Sequence, residues 1–206
     1  ERDSQGRIVH IMQGGTPVPK IGGKKILGFG VAPESIGFGS TFSYKDFSAS
    51  ILVEGKMGGS FYSGTNNWYK VYGLHKDTVP AGGREAGFTP DGVMEDGTVI
   101  TTSIPMSKQE DYWSQTLNIG EENVGSADYM RLRQLSIGYN VPSSMLEGSF
   151  ISNATVSLIG RNLLLLSNSS DNIDPESSYS AGNAVGLERA GMPVPRTIGL
   201  NINLKF

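Results

Sequence analysis

Three carboxylates fall within one short polar stretch, "SDNIDPESS": Asp171, Asp174 and Glu176. Oxygen donors this close could ligate a hard cation such as calcium, but the spacing is not that of an EF-hand loop, and a solvated acidic loop is the plainer reading. A second set is aromatic. Trp68, Tyr69, Tyr72 and Trp113 lie in a stretch dense in turn residues, where flat amphipathic rings could stack on sugar faces or form the loop's own small core. Arg131 and Arg133 lie on a strand-like segment and could pair with the acidic loop residues; a strand-face salt bridge is their plainest role.

None of this amounts to a catalytic set. "GFGSTF" and "GGSFYSG" fail the G-x-S-x-G pattern of a nucleophile elbow, no phosphate-binding P-loop occurs, and "GFGVAP" lacks the third glycine of a dinucleotide loop. Twenty acidic residues supply many carboxylate pairs, but spacing singles out none. The sequence therefore predicts no enzyme. With no cysteine and only two histidines, His10 and His75, far apart, it offers neither disulfides nor zinc-ligand spacing. The 17 basic and 20 acidic residues give a net charge of -3 without a basic cluster, which argues against a nucleic-acid partner.

The elements that must position these residues are strands. The chain has 28 glycines among its 206 residues and is rich in Ser, Thr and Asn, a composition that suits turns and strands over long helices. The last residues, "RTIGLNINLKF", alternate without fault: Ile198, Leu200, Ile202, Leu204 and Phe206 on one face, Thr197, Gly199, Asn201, Asn203 and Lys205 on the other. Two earlier stretches, 35–44 and 47–57, alternate around a turn at Lys45 and Asp46 and predict a hairpin. In "YMRLRQLSIGYNVP" the parity changes: Met130 and Leu132 share one face, Leu135, Ile137 and Tyr139 the other, which predicts a bulge. A further strand begins at "ATVSLIG". Residues 1–34 read as a glycine- and proline-rich loop with one short strand near "KKILGFG", and 58–128 as a long loop region in which "DGVMEDGTVITTSI" could form a small hairpin.

Long and short connections thus alternate along the chain, as they do in outer-membrane barrels, which have short periplasmic turns and long outer loops. A ten-residue strand at about 3.3 Å per residue, tilted by about 45°, rises about 23 Å, close to the apolar band of such a barrel. There is no apolar run long enough for a transmembrane helix, and the opening "ERDSQGRIVH" has no signal-peptide pattern, so a processed chain or a fragment is expected.

The order of motifs resembles one family. "ADYMRLRQLSIGYNVP", the hairpin "FGSTFSYKDFSASILVEGKMGGSFY", "VSLIGRNLLLLS", the loop "DNIDPESS" and the closing "MPVPRTIGLNINLKF" are similar, in the same order, to the C-terminal part of SusC/RagA-type TonB-dependent outer-membrane transporters. The resemblance runs over about residues 14 to 206. It implies an all-β antiparallel meander, the C-terminal part of a large transmembrane β-barrel with long extracellular loops, whose wall strands lie in 129–206 and whose closing strand is 197–206. Leu200, Ile202, Leu204 and Phe206 would then belong to a signal read by the barrel-assembly machinery.

The function so implied is uptake of a nutrient, an oligosaccharide or other glycan first and a peptide second, across the outer membrane of a Gram-negative bacterium. A SusD-like surface lipoprotein and, through parts outside this chain, the TonB complex would be the partners, with no cofactor beyond a possible calcium ion. The competing reading is a soluble, secreted β-sandwich that binds glycans at the cell surface, since any half-buried antiparallel strand alternates.

Overall fold

Strict alternation becomes strand wherever a neighbouring strand is available to pair. The computed structural model describes residues 1–177, 182 and 184–206. In chain order its strands are β1 (Val9–Gln13), β2 (Thr16–Pro19), β3 (Glu34–Tyr44), β4 (Phe47–Met57), β5 (Ser60–Ser63), β6 (Val93–Met94), β7 (Val124–Ser126), β8 (Tyr129–Asn140), β9 (Asn153–Asn168), β10 (Leu187–Glu188) and β11 (Thr197–Lys205). Its α-helices are α1 (Gly64–Val71) and α2 (Gln109–Thr116). The chain divides into two units, one comprising Phe29–Phe61, Gly125–Gly186 and Gly191–Phe206, the other Glu1–Gly28, Tyr62–Val124 and Leu187–Ala190.

The first of these is a five-stranded sheet in the order β11-β9-β8-β4-β3, every pair antiparallel. Residues directly opposite across a ladder share a face, so the register lays out rows. Phe42, Ala49, Ile137, Leu158 and Leu200 form one row; Tyr44, Phe47, Tyr139, Val156 and Ile202 form the next on the same face. The other face carries Ser43, Ser48, Gly138, Ser157 and Asn201, with Ser50 and Ser136 hydrogen-bonded at 2.6 Å in the adjoining row. The apolar face is uncovered: Phe42 is 67% exposed and Leu200 65%. A β-sandwich would bury that face under a second sheet, so the sandwich alternative fails.

The parity change in β8 is a bulge. Register shifts between Leu132 and Gln134 on the β9 side and at Leu52/Val53 on the β4 side. Asn162, in the facing part of β9, takes a left-handed φ of 53°, a conformation asparagine tolerates better than most residues. The Lys45-Asp46 turn and the connection 141–152 lie at one end of the strands, and the longer connections 58–128 and 169–196 leave from the other.

The second unit differs from the sequence expectation. Within 1–34 the strands are β1 and β2, joined by Gly14 and Gly15 at φ 58° and 82°, and no strand forms over 24–30. Prolines made "TPVPK" look like loop, yet β2 is an edge strand, where a proline costs no inner ladder bond. "KKILGFG" finds no partner strand, and Ile26 is left 92% exposed.

The region 58–128 is likewise more than a loop. It supplies both helices, and with β1 and β2 it buries Val9, Val18, Val93, Ile100 and Ile104. Its "DGVMEDGTVITTSI" segment folds back through a Val93–Val99 bridge. Ser63 caps α1, accepting from Asn66 N at 2.9 Å, and Glu110 and Asp111 occupy the first turn of α2, where the helix dipole favours anions.

Candidate functional site

The bulge in β8 assembles the densest polar cluster of the sheet unit. Arg131 is only 3% exposed; its Nη2 donates to Asp174 Oδ1 at 2.6 Å, and its Nε lies 2.9 Å from Glu176 Oε2. Arg133 spans more partners. It donates from Nε to Glu54 Oε2 at 2.9 Å, from Nη1 to Asn162 Oδ1 at 2.8 Å, and from Nη2 to Glu176 Oε1 at 2.7 Å. Tyr129 donates its hydroxyl to the same Glu176 oxygen at 2.9 Å. Asp174 also accepts from the backbone N–H of Glu176 and, on the returning leg of the loop, from that of Val194 at 3.1 Å.

Burial by itself would raise the pKa of both loop carboxylates. The side-chain hydrogen bond from Arg131 and the backbone donors of Glu176 and Val194 nevertheless hold Asp174 below the ordinary range, and Arg133 and Tyr129 do the same for Glu176. Both therefore act as ionised, charge-assisted acceptors. A calcium ion would have to displace these guanidinium contacts to reach Asp174 and Glu176, while Asp171 is solvent-exposed. Among the described residues no group of three or more acidic or histidine side chains is arranged to hold a metal.

The four aromatics separate into two environments. Trp68 on α1 and Tyr72 at its C-cap, one turn on, stack at 5.7 Å between centroids with planes 16° apart, and stand 48% and 69% exposed beside Tyr69. Trp113, on α2, turns instead into a small core. Its ring meets Phe88 at 5.7 Å and Tyr112 at 5.1 Å, and Tyr112 continues the cluster to His10 at 6.2 Å. The aromatics thus differ in surroundings: Trp113 is half-buried within an aromatic cluster, while Trp68, Tyr69 and Tyr72 are exposed. Between them runs an open groove of about 410 Å³, lined by Tyr72, Leu74, Arg84, Met106, Gln109 and Trp113.

Two groups escaped the sequence reading. Glu188, 2% exposed, accepts from Ser63 Oγ at 3.0 Å and Thr65 N at 3.3 Å, placing a carboxylate at the N-terminus of α1. A lone glutamate in a polar loop carries no pattern that could have announced this. His10 is fully buried against Tyr112, and burial lowers its pKa. Of the four residues expected to signal assembly, Leu200, Ile202 and Leu204 lie on the uncovered apolar face, and Phe206 stacks on Phe150 at 5.6 Å.

No protein-family model matches the chain. It is 30% identical over 187 residues to TonB-dependent receptor P26 of Formosa agariphila and 26% identical over 190 residues to TonB-dependent receptor P3 of the same organism. These alignments take in 88% and 89% of the chain but only 18% and 17% of the two receptors. In solved structures the fold matches the RagAB peptide importer in its 'open-open' state with a TM-score of 0.65 at 19% identity, over 97% of this chain and 20% of that one. In the 'closed-closed' state of that importer the TM-score is 0.63 at 18% identity. The alternating strands, their antiparallel order and the long connections at one end are thus those of a barrel wall, and over most of its length the chain is similar to a stretch of TonB-dependent receptors that makes up about a fifth of theirs.

Proposed function

We propose that this segment serves nutrient uptake across the outer membrane of a Gram-negative bacterium. The observation that carries the reading is the uncovered apolar face of the five-stranded sheet, whose opposite face is lined by serines and the Arg131–Arg133 cluster. One face suits lipid and the other a polar lumen. In this reading the sheet is wall, it catalyses nothing, and its β11 edge meets a strand outside this chain after delivery by the barrel-assembly machinery. The TonB complex acts on parts beyond these 206 residues.

The region 58–128 then lies outside the cell, because it leaves the strand ends opposite the short turns. Trp68, Tyr69 and Tyr72 are its exposed rings, available to a sugar face, a peptide side chain or a SusD-like lipoprotein lid. The cargo is a bulky nutrient; similarity to a peptide importer and the suitability of stacked rings for glycans support different classes.

Replacing Trp68, Tyr69 and Tyr72 together by Ala in the full-length receptor tests the assignment. The expected outcome is a barrel assembled in normal amount, with uptake of labelled oligosaccharide or peptide reduced at least several-fold. Normal uptake of every cargo that the parent receptor imports would overturn the role of these rings.

A further inference from the structure

A strand that alternates perfectly has an ambiguity built into it. A slip of one residue would turn Leu200 and Ile202 to the wrong face, but a slip of two leaves every side chain of β11 on its own face. The alternation of Ile198, Leu200, Ile202 and Leu204 therefore cannot by itself choose among registers two residues apart on β9. Something else must fix the observed pairing of Thr155 with Asn203 and Val156 with Ile202.

The structure holds a device at the approach to β11. Asn162, in its left-handed conformation on β9, accepts from Arg133 through Oδ1 and donates from Nδ2 to Pro195 O at 3.2 Å, two residues before the strand begins. Asp174 accepts from the buried Arg131 and, through its other oxygen, from Val194 N. The leg leading into β11 is thus tied at consecutive residues to the bulge of β8. Through Arg133 the tie extends to Glu54 on β4. At the far end β11 is held by Ser152, which donates to Lys205 O, and by the Phe150–Phe206 stack, whose rings are 79% and 74% exposed. The approach end is anchored in buried charge and the far end in solvent, so the approach end is the stronger constraint.

We infer that the Asn162 and Asp174 ties are a register lock for β11: they select the one pairing on β9 that presents its free edge correctly to the strand that follows it around the barrel. The inference rests on the sheet being barrel wall. It gives the acidic loop a positioning role distinct from that of the apolar terminal residues.

The test is disulfide trapping in the full-length receptor freed of other cysteines; this segment contributes none. In the parent, Thr155→Cys with Asn203→Cys should oxidise efficiently, and Thr155→Cys with Asn201→Cys or with Lys205→Cys should not. Adding Asn162→Gly, which keeps the left-handed backbone accessible, and Asp174→Ala should cut the first yield at least three-fold and bring up a slipped pair. An unchanged yield in assembled barrels overturns the lock. If the combined variant does not assemble, Asn162→Gly alone, which leaves both arginine–carboxylate pairs intact, decides the matter by the same readout. Failure of Thr155→Cys with Asn203→Cys to crosslink in the parent would instead sink the barrel-wall reading itself.

Discussion

The sheet unit and the helical unit differ in where they put their aliphatic side chains. In the helical unit Val18, Val93 and Ile104 are at most 1% exposed, in company with buried polar groups such as His10 and Glu188, whereas in the sheet unit Phe42, Leu158, Leu200 and Ile202 stand outward and Arg131 is buried. The same residue types obey two solvents. A branched aliphatic side chain is withdrawn from water in one unit and, in the barrel-wall reading, turned toward hydrocarbon in the other, where a charge survives only if it is paired on the inner face. Burial alone is therefore a poor guide to importance in this chain.

That contrast can be broken most forcefully inside the helical unit. Ile104→Ala, at a fully buried site, should destabilise it by about 2 to 5 kcal/mol, and Trp113→Ala, whose ring is half-buried, by the lower part of that range, measured by denaturant unfolding or by protease susceptibility of 58–128 in the assembled receptor. Wild-type resistance in both variants would mean the aromatic cluster is not a core. In the sheet unit the corresponding damage comes from charge: Leu200→Lys should cost about 2 to 4 kcal/mol near the bilayer midplane, while Asn201→Lys, one residue along but on the other face, should assemble as the parent does. Equal yields of folded barrel for the two variants would reverse the face assignment.

Acid should separate the units in sequence. His10 has a pKa lowered by burial from its ordinary 6.5, so the unfolded chain takes up its proton first and the helical unit weakens as pH falls below that value. Asp174 and Glu176 have folded pKa values below their ordinary 3.8 and 4.5; their stabilisation is full above that range and is lost as pH falls through the lower, folded values. Hydrogen exchange should show protection around β1 falling at a higher pH than protection around residues 174–176, and simultaneous loss would contradict the assignment. The smallest effect belongs to the exposed rings. Trp68→Ala and Tyr72→Ala, taken singly, should change stability by no more than about 0.5 kcal/mol, in contrast with Trp113→Ala.

How much of this was legible beforehand depended on the range of the interaction. The Lys45-Asp46 turn, the alternation of β11 and the bulge beside Arg133 are local patterns, and each lies where the periodicity put it. The β1–β2 hairpin was hidden because Pro17 and Pro19 argue against a strand unless its edge position is known, and that position is a property of the whole sheet. Trp68 and Trp113 have the same chemistry and lie in the same turn-rich stretch; only helix orientation separates a surface ring from a core ring. Pairing of Arg131 and Arg133 with the acidic loop could be suggested from charge alone. The tie from Asp174 to Val194 could not, because backbone donors leave no mark in a sequence.

Arg131 and Arg133 each have a loop carboxylate as partner 43 residues further along the chain, Asp174 and Glu176. Most of that span is closed by the β8–β9 ladder, whose last pair is Tyr129 with Asn168, so Asp174 and Glu176 come within reach only after that ladder has formed, whereas β3 and β4 are joined through a two-residue turn and meet almost at once. We therefore predict an order of events: the sheet zips from its short-turn end, and until the Asp-Pro-Glu segment docks, Arg131 and Arg133 have only Glu54 for company among the sheet's carboxylates. Pulse-labelled exchange during assembly would see the Lys45 end protected before the bulge, and protection in the opposite order would refute it. The face of the sheet around the β8 bulge is thus solvated in its making, and Arg131 leaves water only when the loop that carries its carboxylate partners arrives.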